Sequence, residues 1–147
     1  MAIAVGSQAP PAPGAPDGPH ALLFYKVTCP TCQMAAPPID RFERAYPGRI
    51  TGIGQDPPDK LEEFSRTYAM SFPSAPDLPP YDVSNAYEIS HVPTLVVVDA
   101  DGVVADVVES WDRDGLNRAS QRLAALVGAE PSRVSEPEDD LPEFRPG

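Results

Sequence analysis

The sequence predicts an α/β domain with a central mixed β-sheet flanked by helices on both faces, and three observations carry that prediction. Short apolar runs alternate with helically periodic segments between His20 and Gly128. The strongest strand signal, Thr-Leu-Val-Val-Val at residues 94–98, is followed by Asp99-Ala100-Asp101-Gly102 and a second run at 103–108, the pattern of an antiparallel hairpin. The last periodic segment, 114–127, sets Leu116, Ala119, Leu123 and Leu126/Val127 on one stripe and stops at Gly128, as a terminal amphipathic helix does.

The remaining elements follow in order. Residues 21–27 (Ala-Leu-Leu-Phe-Tyr-Lys-Val) are almost continuously apolar, as a central strand covered on both faces requires. Cys29-Pro30-Thr31-Cys32 comes directly after it. From Cys32 to about Tyr46, the spacing of Ile39, Phe42 and Ala45/Tyr46 predicts one helix, with Pro37 and Pro38 kinking it. A short strand at 49–54 ends at Gln55-Asp56-Pro57-Pro58. Leu61, Phe64 and Tyr68 predict a helix over 59–70. Prolines break 71–80 into a short extended segment and a loop, and 83–89 makes a brief helix. The order is β-α-β-α-loop-β-β-α.

A chain of 147 residues, 41% of them hydrophobic, supports one domain. Twenty prolines concentrate outside the periodic segments. They delimit a proline-rich lead-in at 1–19, a domain at 20–128, and an acidic proline-rich tail at 129–147 that is expected to be disordered or loosely packed. A formal net charge of -11 repels phosphate backbones and anionic headgroups, so neither nucleic acid nor a membrane surface is expected as a partner. No run approaches the ~20 apolar residues of a spanning helix. The first residues carry no basic segment and no secretory apolar stretch, which predicts a cytoplasmic location. A monomer is expected.

The two cysteines lie three positions apart and enclose almost no loop, so a bridge between them would contribute little as a structural staple. Reactivity is the better reason for them. A cysteine after a buried strand, at the first turn of a helix, meets unpaired N–H groups and a dipole that favour its thiolate, the species that attacks disulfides. Cys29 is therefore read as nucleophile and Cys32, one turn on, as the resolving thiol, with Pro30 suited to a position that needs no donor. A zinc site would have to recruit His20 and His91, and His20 sits at the edge of the lead-in, so no metal and no cofactor is expected. Burial of both cysteines as inert side chains fits a strand-to-helix junction poorly. His91-Val92-Pro93-Thr94 immediately precedes the strongest strand. Proline is tolerated at any strand start, but a cis Val92–Pro93 bond would in addition turn the Val92 backbone toward the cysteines, where it could pair with an extended substrate.

Taken together, Leu23-Phe24-Tyr25, Cys29-Pro30-Thr31-Cys32, Pro37 in the following helix, Tyr87-Glu88-Ile89, Pro93-Thr94 and Val98-Asp99-Ala100-Asp101-Gly102 resemble the thioredoxin superfamily. Within it they are most similar to the TlpA-like branch related to the alkyl hydroperoxide reductase/thiol-specific antioxidant group. The resemblance spans residues 20 to 127. It implies the thioredoxin fold, dithiol-disulfide exchange by Cys29 and Cys32, a cis proline at Pro93, and an aromatic, Tyr25, under the site. Val92, Pro93, Thr94, Pro30, Thr31, Tyr25 and Lys26 are the expected supporting residues. Three positions depart from the family pattern: Leu23 replaces a buried aspartate, Ala35 a glutamate, and Thr28 a tryptophan. No proton acceptor for Cys32 is therefore visible. Lys26 is either a solvated side chain or a cation that favours the Cys29 thiolate, and His91 either a surface residue or a proton carrier.

The resulting expectation is a disulfide reductase with a protein disulfide as substrate and a thiol as reductant. A peroxiredoxin-type thiol peroxidase requires Thr or Ser three positions before its cysteine, where Lys26 precedes Cys29. A thioredoxin-like copper carrier would use the two thiolates and His91, but spaces its cysteines more widely. A binding module without catalysis has no use for both cysteines in this arrangement.

Overall fold

His20–Tyr25 forms β1, and its residues from Ala21 onward are all buried because it is the middle strand of five, in the order β3-β2-β1-β4-β5. The computed structural model describes residues 1–147. On one side β1 pairs in parallel with β2 (Ile50–Gly54), which pairs in parallel with the edge strand β3 (Ser74–Pro76). On the other it pairs antiparallel with β4 (Thr94–Val98), and β4 with β5 (Val104–Glu109), giving the predicted hairpin. This is the mixed sheet of the thioredoxin fold.

Strand alternation splits the core in two. Ala21, Leu23 and Tyr25 point into the larger cluster, built with helices α1 (Pro30–Ile39), α2 (Arg41–Ala45), α3 (Pro58–Thr67) and α5 (Arg113–Val127). Leu22 and Phe24 point into a smaller cluster with Ile53, Val96 and Tyr87, the residue that ends α4 (Asp82–Ala86). The helix expected to run from Cys32 to about Tyr46 is two helices. Pro37 and Pro38 remove two backbone donors, and the chain breaks after Ile39. Asp40 at the break accepts the Ser71 backbone N–H at 2.7 Å and its hydroxyl at 2.8 Å, tying the joint to the segment after α3. Asp112 caps α5 by accepting the Gly115 N–H at 3.1 Å, and Gly128 ends it at φ 71°.

The expectation of a disordered tail is corrected by the structure. Residues 129–147 pack along α5 and α2, with Val134 and Ser135 fully buried. The Arg113 guanidinium, itself 5% exposed, donates to the Ser135 hydroxyl and the Leu141 carbonyl. Asn117 accepts the Val134 N–H at 2.7 Å, and Arg41 pairs with Asp139 at 2.8 Å in the short turn Pro137–Asp139. Strand β7 (Phe144–Arg145) then pairs antiparallel with β6 (Trp111–Asp112). The physical reason is that these partners come from distant elements, whereas composition reports only whether a segment can bury its own side chains.

The lead-in is ordered in the same way. Ile3 enters the smaller core, and the Gly6 and Ala9 N–H groups donate to Val104 and Gly102 carbonyls at 2.8 Å. No helix is long and apolar enough to cross a membrane.

Candidate active site

Cys29 is the N-cap of α1, in extended backbone at φ -83°, ψ 114°, and its sulfur accepts the Cys32 backbone N–H at 3.1 Å. Pro30 occupies the first helical position, where its missing donor is not needed. The two free thiols are unequal: Cys29 is half-buried, whereas Cys32 is 3% exposed. Burial, and next the hydrogen bond with the Cys29 thiol, push the Cys32 thiol far above its ordinary range. The Lys26 backbone N–H and ammonium oppose that rise. The field of Lys26 thus bears on Cys32, where the sequence reading had considered Cys29.

The loop that delivers Cys29 is fixed from both sides. Its Val27 N–H donates to Asp56 at 2.9 Å, and Gln33 reaches back from α1 to the Val27 carbonyl at 2.9 Å. Sequence reasoning missed both residues. Asp56 follows the strand predicted at 49–54, and the parallel pairing of that strand with β1, which only the structure supplies, brings its carboxyl end beside the loop. Tyr25 lies beneath the site, its hydroxyl donating to Ser74 at 2.7 Å and its ring 5.0 Å from that of Phe64. Burial pushes its phenol up to about 12, so it supports the site as a neutral side chain.

The Val92–Pro93 peptide is cis, Pro93 is buried, and the Val92 carbonyl lies 3.5 Å from the Cys29 sulfur. Thr94 supports this turn by donating its hydroxyl to the His91 carbonyl at 2.8 Å. His91 itself is exposed, its ring beside the Ser90 hydroxyl, on a shallow depression shared with Lys26, Gln55 and Val92. Thr31, one of the expected supporting residues, is 4% exposed, because its hydroxyl donates to the Pro146 carbonyl at 2.8 Å and the tail covers it. No three His, Cys, Asp or Glu side chains are grouped to hold a metal ion.

Comparison with known proteins places this geometry in context. The family model described as the AhpC/TSA family matches residues 15–107. Methylamine utilization protein MauD of Paracoccus versutus is 24% identical over 117 residues, 80% of this chain. The chain spans only 55% of the length of that curated relative. Among solved structures, DsbF of Mycobacterium tuberculosis is similar at TM-score 0.64 and 28% identity, over 72% of this chain and 81% of that one. A secreted M. tuberculosis disulfide oxidoreductase homologous to E. coli DsbE is similar at TM-score 0.61 and 25% identity, over 74% and 82%. A DsbE-type chain of Chlorobium tepidum shares the fold at TM-score 0.70 and 21% identity, over 84% and 99%.

Proposed function

The chain belongs to the AhpC/TSA family, among the thioredoxin-fold thiol-disulfide oxidoreductases, and on that premise we propose that it reduces protein disulfides with the Cys29–Cys32 couple. The observation that carries this reading is the inequality of the two sulfurs. One is reachable and holds a backbone N–H at a helix's amino end, and the other is buried one turn behind it.

The Cys29 thiolate attacks one sulfur of a substrate disulfide. The S–S bond breaks, its electron pair leaves on the far sulfur, and a mixed disulfide joins Cys29 to the substrate. Cys32 then gives up its proton and attacks the Cys29 sulfur, expelling the second substrate thiolate. The substrate disulfide has gained two electrons and two protons as two thiols, and the enzyme holds a disulfide that an external thiol reductant must reopen. Burial delays ionisation of Cys32, which keeps it from competing with Cys29 for the first attack. The Lys26 backbone N–H and ammonium ease its ionisation at the second step. The Val92 backbone, beside the reacting sulfur, is placed to pair with an extended substrate.

The test is insulin-disulfide reduction with a thiol reductant supplied. Cys29→Ser is expected to abolish it, while Cys32→Ser accumulates mixed disulfides visible by mass spectrometry; full activity in Cys29→Ser refutes the assignment. The reduction potential fixes the direction of electron flow. A value near about -270 mV supports a reductase in a reducing compartment such as the cytoplasm, and one near about -120 mV an oxidant in an oxidising compartment.

A further inference from the structure

The tail does more than cover Thr31. Beyond β7, a single peptide unit, Pro146–Gly147, is held at both ends: its carbonyl accepts the Thr31 hydroxyl at 2.8 Å, and its N–H donates to the Ser110 hydroxyl at 3.2 Å. Thr31 lies between the two cysteines. Ser110 donates its own backbone N–H to the Pro93 carbonyl at 2.8 Å, which joins it to the cis-proline turn. Gly147 lies so close to the Val92 backbone that a β-carbon built on it would overlap the Val92 carbonyl oxygen. That oxygen is the one 3.5 Å from the Cys29 sulfur.

These contacts read a polypeptide backbone and no particular side chain: one hydroxyl gives to a carbonyl, another takes from an amide, and Gly147 fits against Val92 because it carries no β-carbon. An extended substrate that reaches Cys29 past Val92 has to pass through the same volume. The segment is also built to leave. Residues 142–147 are exposed, and the last of them are held by backbone bonds to β6 and Arg113, the two hydroxyls and a contact of Arg145 with the Met34 sulfur, whereas Leu141 and Pro142 are anchored by the buried Arg113 and Trp111 side chains.

We propose that Glu143–Gly147 is a tethered competitor of the substrate: its Pro146–Gly147 peptide unit occupies the groove between Thr31, Val92 and Ser110, and an incoming extended polypeptide must displace it to reach Cys29. The proposal rests on the reading of Cys29 as the thiol that attacks polypeptide disulfides. It makes Thr31 and Ser110 the groups that bind the substrate backbone once the tail has left.

The test uses the full chain with Gly147→Val, in which the added side chain collides with the Val92 carbonyl and unseats the segment without touching a cysteine or a groove hydroxyl. Two readouts are taken with wild type and variant: kcat/KM for insulin, and the rate at which a bulky maleimide alkylates Cys29. Loss of two neutral hydrogen bonds from the closed state corresponds to a rise of about fivefold or more in both. A synthetic peptide of residues 142–147 added in trans is expected to slow alkylation of the variant and leave wild type unaffected. Equal insulin and alkylation rates in the two proteins overturn the competitor. Faster alkylation of the variant with no insulin reduction by either protein overturns the disulfide-reductase reading, and the substrate half of the proposal with it.

Discussion

The two ends of this chain share a richness in proline, differ in charge, and stand in opposite relations to the site. Residues 1–19 and 129–147 are both rich in proline and poor in apolar periodicity, and both are ordered. The first end covers the smaller core, with Ile3 packed in the cluster that holds Tyr87, Leu22 and Phe24 and its backbone tied to Gly102 and Val104. The second covers the larger core and continues to Thr31 and Val92. The first stabilises the fold, and the second also sits where substrate must come. The difference lies in what each face of the sheet offers: the second tail runs beside α1, whose amino end carries the reactive sulfur.

The strongest way to break this comparison is Arg113→Met. It removes charged hydrogen bonds to Ser135 and Leu141 at a buried position and is expected to cost about 3 kcal/mol in a denaturant titration. It should also speed Cys29 alkylation, because the anchor behind the competing segment is lost. An unchanged alkylation rate would separate the anchor from the site.

Ile3→Ala is the matching change at the other end, expected to lower stability by about 2 kcal/mol through lost burial. Here the Cys29 alkylation rate should not move. If it does, the lead-in is coupled to the site and the contrast between the two ends fails.

The smallest effect is electrostatic. The Arg41 guanidinium, and next the Glu136 N–H, hold the Asp139 carboxyl well below its ordinary range. A carboxyl lowered on folding adds stability above its unfolded pKa of about 3.9, and loses it as pH falls further toward the folded value. Protection factors of the amides around 136–140, exchange rates taken relative to the unstructured peptide at each pH, should therefore fall as pH drops below about 4. The half-exposed pair keeps this effect small and weaker in high salt. Protection factors that stay constant through that range would remove Arg41–Asp139 from the tail's fastenings.

Much of the fold was legible because its signals are local. β1, β4 and β5 are uninterrupted or alternating apolar runs, and α5 carries both its stripe and its terminal glycine, so pattern and pairing agree. β3 was visible only as a short extended segment, since its three residues gain their definition from β2. β6 and β7 were not visible, because strands of two residues are made by their partner alone. The single helix predicted through Pro37 and Pro38 failed at Asp40, where the acceptor for Ser71 comes from tertiary contact.

In the site the division is the same. Cys29, Pro30, Cys32 and Pro93 were legible from order and spacing, since a thiol at a strand-to-helix junction is a local arrangement. Ser110, Asp56 and the covering of Thr31 were not, because each depends on a residue more than twenty positions away.

The sequence by itself determined which elements form and where a reactive sulfur would sit, because strand alternation, helix periodicity and cap chemistry act over a few residues. The tertiary structure alone decided how deeply each sulfur is buried, what fastens the two ends, and that one of them lies across the approach to Cys29. Burial and hydrogen bonding between distant segments depend on position in space, and residue order near any one position does not encode it.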